Sequence, residues 1–153
     1  MNMAVHFSSA DQTWETTQNF FDKLNEEFCF LLDSCATRET AKCATYFTPE
    51  DDGLRQDWHN YCGPVWMNPP YGRQIGKWIE KAATEAKAGA TVVALIPART
   101  DTKYFHEHVW DEETGKPRPW VREIRFVRGR LKFGNAKAGA PFPSMVVVFG
   151  GGS

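Results

Sequence analysis

Asn68-Pro69-Pro70-Tyr71 stands directly after the apolar run Val65-Trp66-Met67 and shortly before a long amphipathic segment. Two consecutive prolines set a stiff turn, remove two backbone donors and leave carbonyl acceptors free, while Asn68 adds an amide oxygen and Tyr71 a flat aromatic face. Such a set grips a planar ring that bears an exocyclic amine. The Asn68 side-chain oxygen and the Pro69 carbonyl accept the two N–H bonds of an NH₂ group, which draws its nitrogen towards tetrahedral geometry and frees the lone pair for attack; Tyr71 stacks on the ring. The plain alternative is a proline turn that ends a strand. A loose match to [Asn/Asp/Ser]-Pro-Pro-aromatic arises by chance in on the order of one chain in a few hundred of this length. A preceding apolar strand and a following helix make chance rarer still, and the functional reading is preferred.

A turn of this kind works only on a scaffold that presents it to a crevice. Phe20, Phe21, Leu24 and Phe28 follow helical spacing and predict an amphipathic helix over 17–27, with Thr16 or Thr17 as N-cap. Phe28–Leu32 has the pattern of a buried strand that delivers Asp33 at its carboxyl end. A second strand is expected over 44–47, ended by Pro49, and a third over 65–68, stopped by Pro69 and Pro70. Ile75, Trp78, Ile79, Ala82, Ala83 and Ala86 predict a helix from Gln74 to Ala88 with Gly89 as its stop. Thr91–Ile96 reads as a fully buried strand, followed by Pro97 and a short helix capped near Asp101. Right-handed crossovers of this order build a mostly parallel sheet with ligands at the carboxyl ends of its strands. Val121–Val127 and Ser144–Phe149 close the chain as an antiparallel pair joined by Gly134–Pro143. The expectation is an α/β fold formed by residues 1–153 as one domain.

The chain has 153 residues, 42% of them hydrophobic and 24% charged, which excludes a disordered, collagen-like or coiled-coil protein. Its longest apolar runs, Val92–Ile96 and Met145–Phe149, fall well short of the roughly 20 residues that span a bilayer. The first residues show no basic flank or apolar core of a signal, so a cytoplasmic location is expected. Cys29, Cys35, Cys43 and Cys62 form no Cys-x-x-Cys pair and are expected as reduced core thiols. His59 and Cys62 lie three apart without the companions a zinc site requires, so no metal is assigned. His106 and His108 fall on the short helix and read as surface or packing residues. Net charge is only −1, but residues 115–153 hold one acid against eight bases. Lys116, Arg118, Arg122, Arg125, Arg128, Arg130, Lys132 and Lys137 could face a phosphate backbone or line a solvated strand. No oligomeric state follows from the sequence.

The chain resembles the S-adenosylmethionine-dependent amino-methyltransferases, specifically the small bacteriophage family of DNA N6-adenine methyltransferases. The resemblance runs from about Trp14 to Phe149. It rests on Trp14-Glu15-Thr16, Phe30-Leu31-Leu32-Asp33-Ser34-Cys35-Ala36, Asp52-Gly53-Leu54 with Asp57-Trp58, Val65 to Tyr71, Ile96 to Thr102 with Phe105-His106-Glu107, and Gly129 to Phe133. Only Asn-Pro-Pro-Tyr is specific to the chemistry. The resemblance implies a Rossmann-like methyltransferase fold in which Asn68, Pro69, Pro70 and Tyr71 hold an adenine flipped out of duplex DNA. It places Asp33 and Ala36 in the cofactor motif, Asp33 near the amino-acid end of S-adenosylmethionine. It also implies Asp57 at the cofactor's adenine amine, an acid among Glu50, Asp51 and Asp52 at the ribose hydroxyls, and Trp14 and Thr16 over the methionine moiety. Arg128, Arg130 and Lys132, around Gly129, are the expected phosphate contacts, with base readout from 110–120 or 134–143. Thr100, Asp101 and Thr102 either line the base pocket or cap a helix.

Two departures stand out. Asp33 is followed by Ser-Cys-Ala-Thr where the methyltransferase fingerprint carries glycines, and Thr17 stands where the phage family commonly has proline. Asn-Pro-Pro-Tyr also serves methylation of RNA bases and protein amides, and the missing glycines leave a non-catalytic DNA-binding protein as a further alternative.

Overall fold

Short apolar runs without alternation belong to strands buried on both faces. In the computed structural model of this chain, which describes residues 16–134 and 139–150, the two clearest such runs, β3 (Val65–Met67) and β4 (Thr91–Pro97), pair in parallel at the centre of a six-stranded sheet. Trp14, Lys137 and the middle of the 134–143 connection lie outside the described residues. With β1 (Leu32–Asp33), β2 (Thr45–Tyr46), β7 (Val121–Phe126) and β8 (Ser144–Gly150), the sheet order is β2-β1-β3-β4-β8-β7. The pairs β1–β2, β1–β3 and β3–β4 are parallel, whereas β8 runs antiparallel to both β4 and β7. The fold is therefore α/β with a mixed, largely parallel sheet. The expected terminal hairpin is present, but β8 lies inside it, next to β4, because every residue of β8 is buried and β7 is the half-covered edge.

From β1 the chain moves to β2 on one side, then returns to β3 on the other side of β1. Such a reversal opens a crevice outside the carboxyl ends of the two strands, here Asp33 and Met67. Since β7 is antiparallel to β8, and β8 to β4, the carboxyl end of β7 lies on this same edge. The connection after it rises beside the crevice.

Helix α1 (Gln18–Phe28) buries Phe21 and Leu24, and Phe21 meets Trp66 of β3 edge-on at 5.4 Å. Thr17 is its N-cap by backbone geometry, without a hydroxyl bond. The strand expected over 28–32 is shorter: Phe28 completes α1, Cys29 turns into the left-handed region (φ 55°), and Asn25 accepts the Phe30 N–H. Side-chain capping from Asn25 thus ends the helix where the apolar run alone reads as strand. Helix α2 (Ile75–Lys87) matches its expected span to one residue at each end, with Gly89 at φ 112°. Helix α3 (Lys103–His108) begins after Thr102, not Asp101, and the Thr102 hydroxyl donates to the Arg99 carbonyl instead of capping.

Residues 110–120 form a small two-stranded ribbon, β5 (Trp110–Asp111) and β6 (Lys116–Pro117). It leads into the start of β7, where the Trp120 carbonyl accepts the Gly150 N–H, and so lies at the edge opposite the crevice. The ribbon expected to read bases thus lies away from the carboxyl ends of β1 and β3. The cysteines also differ from expectation: all four are free, but Cys29 and Cys62 are exposed and Cys35 and Cys43 only partly covered. Among the described residues no helix is long and apolar enough to cross a membrane.

Candidate active site

Asp33 ends β1 and is 2% exposed. Its Oδ1 accepts the Cys35 N–H at 3.3 Å and its Oδ2 the Lys42 N–H at 3.0 Å, so the carboxylate ties the returning 35–42 loop to the strand end. Burial pushes the carboxyl up to about 6, against the opposing pull of these two N–H groups and of the Lys42 charge. Ala36, also buried, donates its N–H to the Phe47 carbonyl and continues the β1–β2 pairing. It acts through its backbone.

Asn68 follows β3 and is 8% exposed. Its Nδ2 donates to Thr16 Oγ1 at 2.9 Å. The Tyr71 hydroxyl lies 3.0 Å from Asn68 Oδ1 and 2.9 Å from the Leu95 carbonyl, and its single proton serves one of them at a time. The Tyr71 ring is 6% exposed and packs edge-on against Phe142 at 5.5 Å and Phe133 at 6.3 Å. The ring expected to stack on a substrate is instead buried between Phe133 and Phe142, and its hydroxyl anchors Asn68. Asp33, Asn68 and Thr16 line one small recess between the ends of β1 and β3. The tertiary structure thus joins a carboxylate and an amide that are far apart in sequence.

Beside this recess lies a cleft of about 220 Å³ between the ends of β1 and β2, the 52–54 turn and the start of α2. Phe47, Leu54, Pro70 and Trp78 supply apolar walls, and Asp52 is its carboxylate. Gly53 explains how the walls come so close without glycines after Asp33. A Cβ there would sit 2.3 Å from the Ser34 carbonyl oxygen and 3.1 Å from the Trp78 ring. We expect Gly53→Ala to cost about 2 kcal/mol or more by forcing the turn off β1, read as a lower midpoint in urea unfolding. An unchanged midpoint would mean the turn has slack that the packing does not show.

Asp57 is not brought to this cleft. It is exposed beside His59 and Glu85, whose ligand atoms lie within 4.8 Å of its own. Glu85 lies seven residues beyond Trp78, the α2 residue that lines the cleft, roughly 10 Å along the axis. Glu85 is buried and accepts from Lys81 Nζ at 2.6 Å and from the backbone N–H of His59 at 2.8 Å, the arrangement of a structural ion pair. Asp57, expected at the cofactor's adenine amine, is thus grouped with His59 and Glu85 and is not among the residues that line the cleft.

The chain matches the DNA N-6-adenine-methyltransferase (Dam) family over residues 5–148. It belongs to that family. It is 30% identical over 127 residues to the DNA N-6-adenine-methyltransferase of Haemophilus phage HP1 (strain HP1c1), an alignment covering 78% of this chain and 66% of the phage protein. It is also 30% identical over 95 residues to the DNA N-6-adenine-methyltransferase of Escherichia phage T1, covering 61% of this chain and 39% of the relative. The chain thus spans just under two thirds of the first protein and well under half of the second.

The basic segment of this Dam-family chain divides in two. Arg125 bonds both Glu27 and Glu123, Arg118 donates to the His106 carbonyl, and Lys116 sits on the ribbon at the far edge. Arg128, Arg130 and Lys132 are exposed on the crevice edge, and among the described residues none has a carboxylate partner. Arg130 donates to the Ala140 carbonyl at 3.3 Å, and Gly129 takes φ 74° between the two arginines. Gly53 and Phe133 stand in the motifs that carry the resemblance but had no role assigned, and Phe142 is not singled out by the sequence. Phe133 and Phe142 flank a loop with no periodicity, while Gly53 follows an acid and was open to a close-packing interpretation. Thr100 and Asp101 stay exposed; the Thr100 carbonyl engages His106 Nε2 at 2.7 Å, a packing role for that histidine.

Proposed function

We propose that this chain transfers the methyl group of S-adenosylmethionine to the exocyclic N6 of an adenine flipped out of duplex DNA, on a Rossmann-like methyltransferase fold. The observation that carries this reading is the meeting of Asp33 and Asn68 in one recess at the switch point of the sheet, within a chain of this family.

The donor set fits the cofactor. Asp33 is a buried carboxylate whose pKa desolvation raises, and a cationic ammonium beside it would favour its ionised form. Asp52 offers an acceptor for ribose hydroxyls, and Phe47, Pro70 and Trp78 an apolar slot for a flat base. Thr16 lines the recess with Asp33, next to the place the methionine end would take. When bound, the cofactor supplies an electrophilic methyl on a sulfonium.

The protein's part is to expose a lone pair and aim it. The Tyr71 proton can turn wholly to the Leu95 carbonyl, which releases Asn68 Oδ1 to accept one N–H of the target amine. Thr16 keeps the amide from flipping by accepting from Nδ2. The Pro69 carbonyl, to which no described N–H donates, accepts the second N–H. Nitrogen held this way gains tetrahedral character and presents its lone pair, to which the bound cofactor would supply its methyl group, and the extra proton would then leave to water. No general base is required.

The reaction is tested by expressing the protein in a host that lacks adenine methylation and analysing nucleosides of plasmid DNA by mass spectrometry. N6-methyladenine with the wild type is expected; its absence from DNA exposed to folded protein would reject the reading. The DNA-facing rim has its own expectation. Arg128→Gln with Arg130→Gln should weaken duplex binding at moderate salt and make the slope of log K against log salt shallower by about 2. A titration across salt concentrations checks this, and an unchanged slope would move the DNA surface elsewhere.

A further inference from the structure

Phe126, the last residue of β7, is 69% exposed, and among the described residues only Leu31, at 40%, is a comparably exposed large apolar side chain. Its position is set by the strand. Arg125, the preceding residue, turns to the face covered by α1, where its guanidinium meets Glu27 and lies 5.3 Å from the Phe28 ring. Alternation therefore directs Phe126 to the other face, at the end of the strand. That end lies on the crevice edge, three strand positions from β3, or about 14 Å across the sheet. Two and four residues further on stand Arg128 and Arg130, exposed around the Gly129 turn.

A second copy adding to the β7 edge is the competing occupant of this surface. That edge carries Arg122, Glu123 and Arg125, the charges that oppose strand addition. Positive charge that has no carboxylate partner among the described residues, beside an exposed aromatic, instead matches a polyanion with stacked bases. Taking an adenine out of a duplex leaves a gap in the stack, and apolar side chains that enter between base steps stabilise such unstacked DNA.

We propose that Phe126 enters the base stack beside the extruded adenine while Arg128 and Arg130 hold the adjoining phosphates. This rests on the adenine-methylation reading above and adds a residue that acts on the DNA rather than on the methyl group. The test compares single-turnover methylation of two duplexes, one with the target adenine paired to thymine and one with it opposite a mismatched cytosine, which is already easier to unpair.

Phe126→Ala is expected to lower the matched-to-mismatched rate ratio by about tenfold or more, and Phe126→Trp to restore most of it. A 2-aminopurine placed beside the target should brighten on binding wild type and brighten less with Phe126→Ala. An equal loss on both duplexes, or no loss on the matched one, would overturn the proposal. So would a change in sedimentation mass with the alanine variant, which would assign the side chain to a second copy. A wild type that methylates neither duplex would overturn the adenine-methylation reading itself, and the two failures are thereby told apart.

Discussion

Asn68→Ala lowers methyl transfer about 10²- to 10³-fold while S-adenosylmethionine still binds; this is the largest kinetic effect expected for the chain. The magnitude is that of removing one fixed hydrogen-bond partner from a site where charge develops. The separation of the two effects follows from the geometry. Alanine removes the acceptor for the target amine, yet the Tyr71 hydroxyl keeps the Leu95 carbonyl at 2.9 Å, so its buried O–H is not orphaned. Thr16 Oγ1 loses a donor, not its own donating capacity. The fold should therefore tolerate the change, and Asp33 on the neighbouring strand remains to hold the cofactor. Calorimetry of cofactor binding beside single-turnover rates checks both halves. A cofactor affinity that falls in step with the rate would assign Asn68 to the cofactor instead of the base.

The second large effect belongs to Asp33. Its carboxylate closes the loop 35–42 through two N–H groups and is 2% exposed. Asp33→Ala removes the acceptor of two half-buried N–H groups, at a cost of about 1–3 kcal/mol in stability, and would remove the counter-charge for the cofactor's ammonium. Asp33→Asn keeps one acceptor and the shape, so it should fold better and still lose cofactor affinity by about tenfold or more.

The wild type carries the same signature in its pH dependence. The carboxyl rises from 3.8 to about 6 on folding, so the native state holds this proton more tightly than the unfolded chain does. Asp33 then contributes least penalty at pH below 4, and its contribution to stability falls as pH rises towards 6, above which it is constant. Cofactor affinity moves the other way: the ammonium requires the ionised form, so affinity drops about tenfold per pH unit below 6. Isothermal titration between pH 5 and 8 measures this directly. A flat profile in wild type, or the same slope in Asp33→Asn, would remove Asp33 from the cofactor site.

Much of this protein is readable from local rules. The prolines at 69 and 70 end β3 because they cannot donate to a ladder, and the three-and-four spacing of Ile75, Trp78, Ile79 and Ala82 sets α2 to within a residue. Asn-Pro-Pro-Tyr announces its chemistry because a rigid turn with an amide and an aromatic ring needs few partners to be recognisable. Apolar pattern falters where a polar side chain sets a boundary, as Asn25 does by accepting the Phe30 N–H and ending α1 only after Phe28.

What no local pattern contained is which carboxylates meet the turn. Asp33 and Asp57 are alike in sequence, each beside an apolar residue, but the return of the chain across β1 brings Asp33 to Asn68 and leaves Asp57 with Glu85 at the far part of α2. The same holds for Gly53 against Ser34, for Phe133 and Phe142 against Tyr71, and for the placing of 110–120 at the edge opposite the crevice. Residue type and periodicity determine which elements form and which faces they bury. The order of strands in the sheet is a long-range choice, made by packing between segments that do not adjoin, and it alone decides which side chains share a crevice.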